Sequence, residues 1–371
     1  METVAEMTDM ANQAVMASER NVNCMDGKEN IFGRTLQELT ELASEFGMPK
    51  FRGRQLAEWL YKKSVTDFAA MQNLPKELRG RLAEKYVIDR AARVDRLDSA
   101  DGRTSKFLLS FSDGAGVETV LMRQPYGNSI CVSSQVGCSM GCRFCASTLH
   151  GMVRNLTAGE MLAQTFYIND LLKAEGQKVD TIVIMGSGEP LTNYDNVLAY
   201  IRLMHEDYCL GMSYRSITLS TSGIVPNICR LAEEGLPINL SISLHAPEQE
   251  LRSELMPINK KYPLAEVVRA GREYGDKTHR RVTYEYILID GVNDNLQQAK
   301  ELVALLRGQL ASVNLIPINP VAERNWNRPS LARIEFFEKY LADHHIAVTV
   351  RREMGNDIQA ACGQLRNKHI K

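Results

Sequence analysis

Ile130-Cys131-Val132-Ser133-Ser134-Gln135-Val136-Gly137-Cys138-Ser139-Met140-Gly141-Cys142-Arg143-Phe144-Cys145 is an apolar, β-branched start that runs straight into three closely spaced cysteines. The start predicts a strand over 130–134, which puts the cysteines on the loop at its C-terminal end. Their spacing is C-x3-C-x2-C. Three thiolates in eight residues can hold three corners of a cubane iron–sulfur cluster. The fourth iron then has no protein ligand and is open to a chelating amino and carboxylate pair. Gly141 lets the loop wrap closely. Structural zinc is the competing occupant. It takes four ligands, usually in paired C-x2-C knuckles, and His150 is a poorly placed fourth.

Outward from this stretch, strands and helices alternate. Strands are predicted at 181–185, 216–222, 238–244, 282–289, 313–318 and 346–351. Helices are predicted at 158–174, 194–206, 226–234, 264–274, 295–307 and 331–342. Thr157-x-x-Glu160 forms a capping box at the first helix. Such a run of βα units implies a parallel sheet with helices outside it. A complete eight-unit barrel usually takes ~250 residues. The expected fold is therefore α/β, an incomplete (βα)6 barrel over 130–353. A small helical domain over 33–96 and a β-hairpin segment over 97–129 precede it, and a loop over 354–371 follows. In this geometry the ligand site lies at the C-terminal ends of the strands.

Composition agrees with a globular protein. The chain has 371 residues, 44% of them hydrophobic and 24% charged, with a net charge of −1. No apolar run reaches the ~18 residues of a spanning helix. Residues 1–30 are acidic and lack the basic and apolar regions of a secretory leader. They are read as a flexible extension, taken to residue 32. The expected compartment is the cytoplasm, where the eight cysteines stay reduced. From Lys50 to Arg96 there are twelve Lys and Arg against six Asp and Glu, a basic face on the helical domain. A solvated helical face is the plain reading of such a run.

The remaining strand ends are polar where a core would be apolar. Met185-Gly186-Ser187-Gly188-Glu189-Pro190 ends one strand, where the glycines allow close approach and Glu189 can accept from an ammonium. Ser220 and Ser222 alternate with Leu219. Ser241, Ser243 and His245 alternate with Leu240, Ile242 and Leu244. Asn319 closes the strand before it. Buried polar groups need partners, so this ring points to a ligand. Two cysteines stand apart: Cys131, upstream of the cluster motif, and Cys362 in a polar C-terminal loop. Cys24, Cys209 and Cys229 are read as inert buried thiols.

The cysteine spacing, with Phe144 before the last cysteine, resembles the radical S-adenosylmethionine (SAM) superfamily. Seven stretches carry a closer likeness: 131–138, 151–157, 185–191, 219–223, Ser243-Leu244-His245-Ala246-Pro247, Met256-Pro257-Ile258-Asn259-Lys260-Lys261-Tyr262 and Ala361-Cys362-Gly363-Gln364-Leu365. From Met48 to Leu365 the chain resembles the RlmN-type RNA adenine-C2 methyltransferases, relatives of the Cfr-type C8 enzymes. The resemblance implies one 4Fe-4S cluster on Cys138, Cys142 and Cys145, and two SAM molecules per turnover. It implies SAM contacts at Gly188, Glu189, Ser220, Ser243, Leu244, His245 and Asn319. Cys362 is then the methyl carrier, Cys131 the thiol that forms a transient disulfide with it, and Glu118 the proton acceptor. From the residues alone, Glu118 reads as an exposed hairpin glutamate. The implied substrates are 23S rRNA and tRNA. An electron donor such as flavodoxin or ferredoxin is also implied, with a monomeric chain and no membrane association. Arg351, Arg352, Arg366, Lys368 and Lys371 form a second basic patch beside Cys362. Three other readings stay open: a C8 methyltransferase, a radical SAM activase of a partner protein, and a non-catalytic metal-bearing RNA-binding module.

Overall fold

The computed structural model describes residues 24–365, except Asp26, Pro320 and Ala322. Ten strands form its main sheet: β1 (Ala92–Asp98), β2 (Thr104–Ser110), β3 (Gly116–Gln124), β4 (Gly127–Cys131), β5 (Thr181–Ile184), β6 (Ile217–Thr221), β7 (Asn239–Ser243), β8 (Val282–Leu288), β9 (Ala311–Pro317) and β10 (Ala347–Val350). Their order is β10-β9-β8-β7-β6-β5-β4-β3-β2-β1. From β4 to β10 all pairings are parallel, and from β1 to β4 all are antiparallel. The helices over Ala158–Ala174, Tyr194–His205, Val225–Glu233, Leu264–Thr278, Leu296–Leu306 and Leu331–Asp343 fill the six connections in the expected places. Thr157 and Glu160 do form a reciprocal capping box. The β7 connection holds one feature that was not expected, a short helix over Gln249–Leu255 followed by a turn over Pro257–Lys260.

Three boundaries differ from the expected ones. The hairpin segment is continuous with the barrel sheet, because Gln124 pairs with Gly127 across a two-residue turn. That turn brings Gly127, at φ +133°, against Asp180, whose carboxylate a Cβ would strike. Residues 92–96, assigned to the helical domain, are instead part of strand β1. Every residue of β1 is exposed, and its Arg93, Asp95, Arg96 and Asp98 leave no apolar alternation to read. Charges and a bulge between Arg93 and Asp95 are what a protected sheet edge requires.

The N-terminal domain contains α1 (Leu36–Glu45), α2 (Phe51–Ala57) with a π-helical continuation over Glu58–Lys62, and α3 (Lys76–Lys85). The acidic extension is shorter than its predicted end at residue 32. Lys28–Asn30 pairs with Tyr86–Val87, and Ile31 and Phe32 are buried. Residues 1–23 lie outside the described residues. The domain docks on the Ala158–Ala174 helix through the rings of Phe32, Tyr61 and Phe166, and through the Arg90–Asp170 ion pair.

Candidate active site

The loop after β4 brings the three cysteines to one cavity of about 150 Å³ at the C-terminal ends of the strands. Backbone bonds hold its shape. Cys138 N–H donates to Gly151 O at 2.9 Å, Cys145 N–H to Cys142 O at 3.2 Å, and Arg143 N–H to Leu255 O at 2.9 Å. Gly141 takes φ +71° at the tip. Burial pushes the Cys138 thiol up to about 12, and it raises Cys142 and Cys145 as well, with the neighbouring thiols adding to the rise. Three bare thiolates are therefore costly here, and a positive iron centre supplies the missing charge compensation. Among the described residues, no three His, Cys, Asp or Glu side chains are gathered for a single metal ion. A zinc site would need a fourth ligand, and His150 is not among the residues lining this cavity.

Gly188, Glu189, Ser220, Ser243 and His245 line the same cavity. Gly188 lies at φ +110°, and a Cβ there would fall 2.7 Å from Gln135 and Ser134. Glu189 is buried, which raises its carboxyl. It accepts from Leu191 N–H at 3.0 Å, Thr221 Oγ1 at 2.7 Å and Ser222 N–H at 2.6 Å. Much of its capacity thus goes into tying the β5 and β6 ends together. His245, at φ +61°, accepts from Ile287 N–H on Nδ1 at 3.0 Å. Burial first, then Arg252, lowers it to about 3, so the ring is neutral and its hydrogen is on Nε2. Phe144 packs edge-on against it at 4.6 Å. Three soft thiols facing hydroxyls, a carboxylate and an imidazole donor suit a cluster with a polar amino-acid chelator beside it.

Two expected contacts lie elsewhere. Leu244 is buried, donating to Glu285 O at 3.0 Å and accepting from Arg252 Nε at 3.2 Å. Asn319 lines a second cavity of about 510 Å³, where its amide donates to Cys362 O at 3.2 Å. Cys131 and Cys362 line this larger cavity, and Cys362 lines the cysteine cavity too. Burial and the nearby Cys362 raise the Cys131 thiol to about 12. Glu118 lines neither cavity. It is not an exposed hairpin residue: it is buried and ion-paired to Lys106 at 2.9 Å.

Sequence reasoning missed three residues. Arg252 is fully buried and donates to Ser222 O, Ser243 O, Leu244 O and Asn259 Oδ1, which clamps the ends of β6 and β7. Gln135 accepts from Glu189 N–H at 2.8 Å. Lys106 is the third. Arg351, expected in a basic patch beside Cys362, lies beside it and borders both cavities. Its guanidinium lies 4.0 Å from Glu285, and the Cys362 sulfur first, then Glu285, raise it further above the ordinary arginine range. Arg352 is exposed, whereas Arg366, Lys368 and Lys371 lie outside the described residues. Cys209 is buried as expected, but Cys229 is exposed.

A parallel βα sheet with a three-cysteine loop on its first connection defines a radical SAM enzyme, and the profile of the radical SAM superfamily matches residues 132–303. The profile of the ribosomal RNA large subunit methyltransferase N-terminal domain matches residues 29–88. A protein of Symbiobacterium thermophilum named "probable dual-specificity RNA methyltransferase RlmN" is 54% identical over 92% of each chain. A protein of the same name from Clostridium perfringens is 48% identical over 92% of this chain and 98% of its own. A radical SAM methyltransferase structure from Sphaerobacter thermophilus is 46% identical, covers 91% of this chain and 99% of its own, and superposes with a TM-score of 0.87. This chain belongs to the RlmN family of radical SAM RNA methyltransferases.

Proposed function

We propose that this protein methylates C2 of an adenosine in 23S rRNA, and of an adenosine beside the tRNA anticodon, through a methyl group carried on Cys362. One observation carries the reading: Cys362 borders both the cysteine cavity and the larger cavity that holds Cys131. A carrier must face the methyl source on one side and the acceptor base on the other. C2 of adenine is electron-poor and has no lone pair to attack a sulfonium, so polar transfer straight from SAM is closed to it. Cys138, Cys142 and Cys145 would hold a 4Fe-4S cluster, which would supply the electron for reductive cleavage of SAM, and SAM would also be the methyl source.

The chain's own residues then divide the work. Gly188, Glu189, Ser220, Ser243 and His245 bind and orient SAM. Cys362 bears the methyl and afterwards the covalent link to the base. Glu118, on the same face of β3 as Val120 and Met122 that line the larger cavity, accepts the C2 proton, a role the family resemblance implies. Cys131 attacks the Cys362 sulfur, so that an S–S bond forms as the S–CH2 bond breaks; the bonding pair goes to the methylene carbon, which takes a proton to become the methyl group, and a thiol reductant reopens the disulfide. The larger cavity admits one extruded base while basic side chains hold the phosphates outside. The relatives' printed name, dual-specificity RNA methyltransferase, supports two RNA substrates. Mass spectrometry of nucleosides from cells lacking the protein tests the reading. Loss of 2-methyladenosine from 23S rRNA and tRNA is expected, whereas loss of 8-methyladenosine overturns the C2 assignment.

A further inference from the structure

Lys106 is a charge in the middle of β2, where residues 104–109 are all buried. Its ammonium lies 2.9 Å from Glu118 Oε1, and the two side chains keep only 8% and 10% of their exposure. The same ammonium donates at 3.1 Å to the carbonyl of Gln359, three residues before Cys362. Gln359 takes φ +53°, a left-handed conformation that is costly for a residue with a side chain. The sheet register adds a third relation. Lys106, Val120, Cys131 and Val183 stand side by side across β2, β3, β4 and β5. Val120 and Cys131 pack against Ala360 and Leu365 of the C-terminal segment. One ammonium therefore touches the carboxylate read as base and the loop that carries Cys362, in the cross-strand row of Cys131.

A purely structural ion pair explains this poorly. Burying two charges costs desolvation that their attraction roughly returns, so apolar residues of similar volume would hold the sheet as well. The second acceptor is also not in the sheet: it belongs to a loop 253 positions away in the chain.

We propose that Lys106 is a positioning residue for the proton-accepting step, aiming the Glu118 carboxylate and holding the Cys362 loop in register with it. This rests on the reading of Glu118 as base. In that step the C2–H bond breaks, the proton moves to a Glu118 oxygen and the bonding pair stays with the ring. Lys106 contributes no atom to the bonds that change.

The test uses full-length protein with its cluster reconstituted, SAM and a tRNA bearing the target adenosine. Three quantities are read: methyl on the Cys362 peptide by mass, RNA–protein adduct on a denaturing gel, and methylated product. In Lys106→Met, methyl loading persists, product forms about tenfold or more slowly, and an RNase-sensitive adduct accumulates. Lys106→Arg, which keeps the charge, restores most of the turnover. Product at the wild-type rate from Lys106→Met overturns the proposal. So does loss of methyl loading in step with turnover, since that marks a structural lysine. If Lys106→Met does not fold, Lys106→Gln carries the same expectations. Glu118→Gln, run in parallel, separates the two readings. Wild-type product from it overturns Glu118 as base, whereas adduct in Glu118→Gln without adduct in Lys106→Met overturns Lys106 alone.

Discussion

Two thiols facing one cavity need not act alike, and their surroundings differ. Cys131 is buried in a strand among Val120, Ala360 and Leu365, whereas Cys362 is half-buried on a loop and borders both cavities. If Cys362 is the carrier, Cys362→Ala yields neither methylated RNA nor adduct. If Cys131 only resolves the link, Cys131→Ala still loads the methyl and still bonds to adenine, then stops as a slow band on a denaturing gel that RNase removes. Adduct from the Cys362 variant, or none from a methyl-loaded Cys131 variant, reverses the roles. At the cluster loop, each of Cys138→Ala, Cys142→Ala and Cys145→Ala is expected to lose the brown absorbance and SAM cleavage together. A single variant that keeps both is not missing a ligand. The placing of these five cysteines at two adjoining cavities was legible because it depends on local spacing or on a match to a familiar stretch. Lys106, Arg252 and Gln135 were not, because each takes its meaning from atoms distant in the chain. Lys106 reads as an interruption in a strand until Glu118 and Gln359 are placed around it. Cys229 was misread for a different reason. Its neighbours Ile228, Leu231 and Ala232 take the buried face of the Val225–Glu233 helix and leave Cys229 outside.

Among the elements, the βα units were readable because a buried parallel strand is a continuous apolar run and an amphipathic helix has its own period. Strand β1 carries neither signal, which is why it was absorbed into the helical domain. That domain's basic face is only partly free for RNA. Arg52 donates to Gln55 Oε1 and Asn73 O, and Arg54 pairs with Asp207 at 2.8 Å and with Glu58 at 3.7 Å. Lys50, Lys62 and Lys63 are exposed, and Lys63 lies 3.4 Å over the Trp59 ring. Replacing these three lysines by alanine should weaken RNA binding and flatten its dependence on salt. Each lost phosphate contact removes roughly 0.7 to 0.9 from the slope of log K against log salt. Filter binding from low to moderate salt measures it, with SAM cleavage in the absence of RNA as the unaffected control. An unchanged slope would return this face to simple solvation.

For the whole molecule, what the proposed function requires is an N-terminal domain held rigidly against the barrel. One contact between that domain and the Ala158–Ala174 helix is backbone on backbone. Gly33, at φ +102°, meets Gly159, where a Cβ would fall 2.3 Å from Phe32 O. A carbonyl cannot swing aside as a side-chain tip can, so Gly159→Ala must push the N-terminal domain away from the Ala158–Ala174 helix. Two effects then compete. Alanine in a helix gains up to ~1 kcal/mol over glycine, and less in the first turn, where Gly159 sits. Overpacking against fixed atoms costs about 1–3 kcal/mol. The second should win, lowering the melting temperature. RNA affinity should fall further than stability alone explains, because the phosphate-binding face no longer lines up with the cavity. SAM cleavage without RNA should stay near wild type, since the cysteine loop and strand ends do not touch this contact. Gly80→Ala is the matched control: it lies within α3 with nothing within 4 Å of the added carbon. It has the propensity gain without the clash and should raise the melting temperature slightly. If both variants are stabilised and bind RNA equally well, the two glycines are packing detail and the docking does not set the reach to the base. If only Gly159→Ala loses RNA, a fixed spacing between the two domains is part of how the enzyme selects one adenosine.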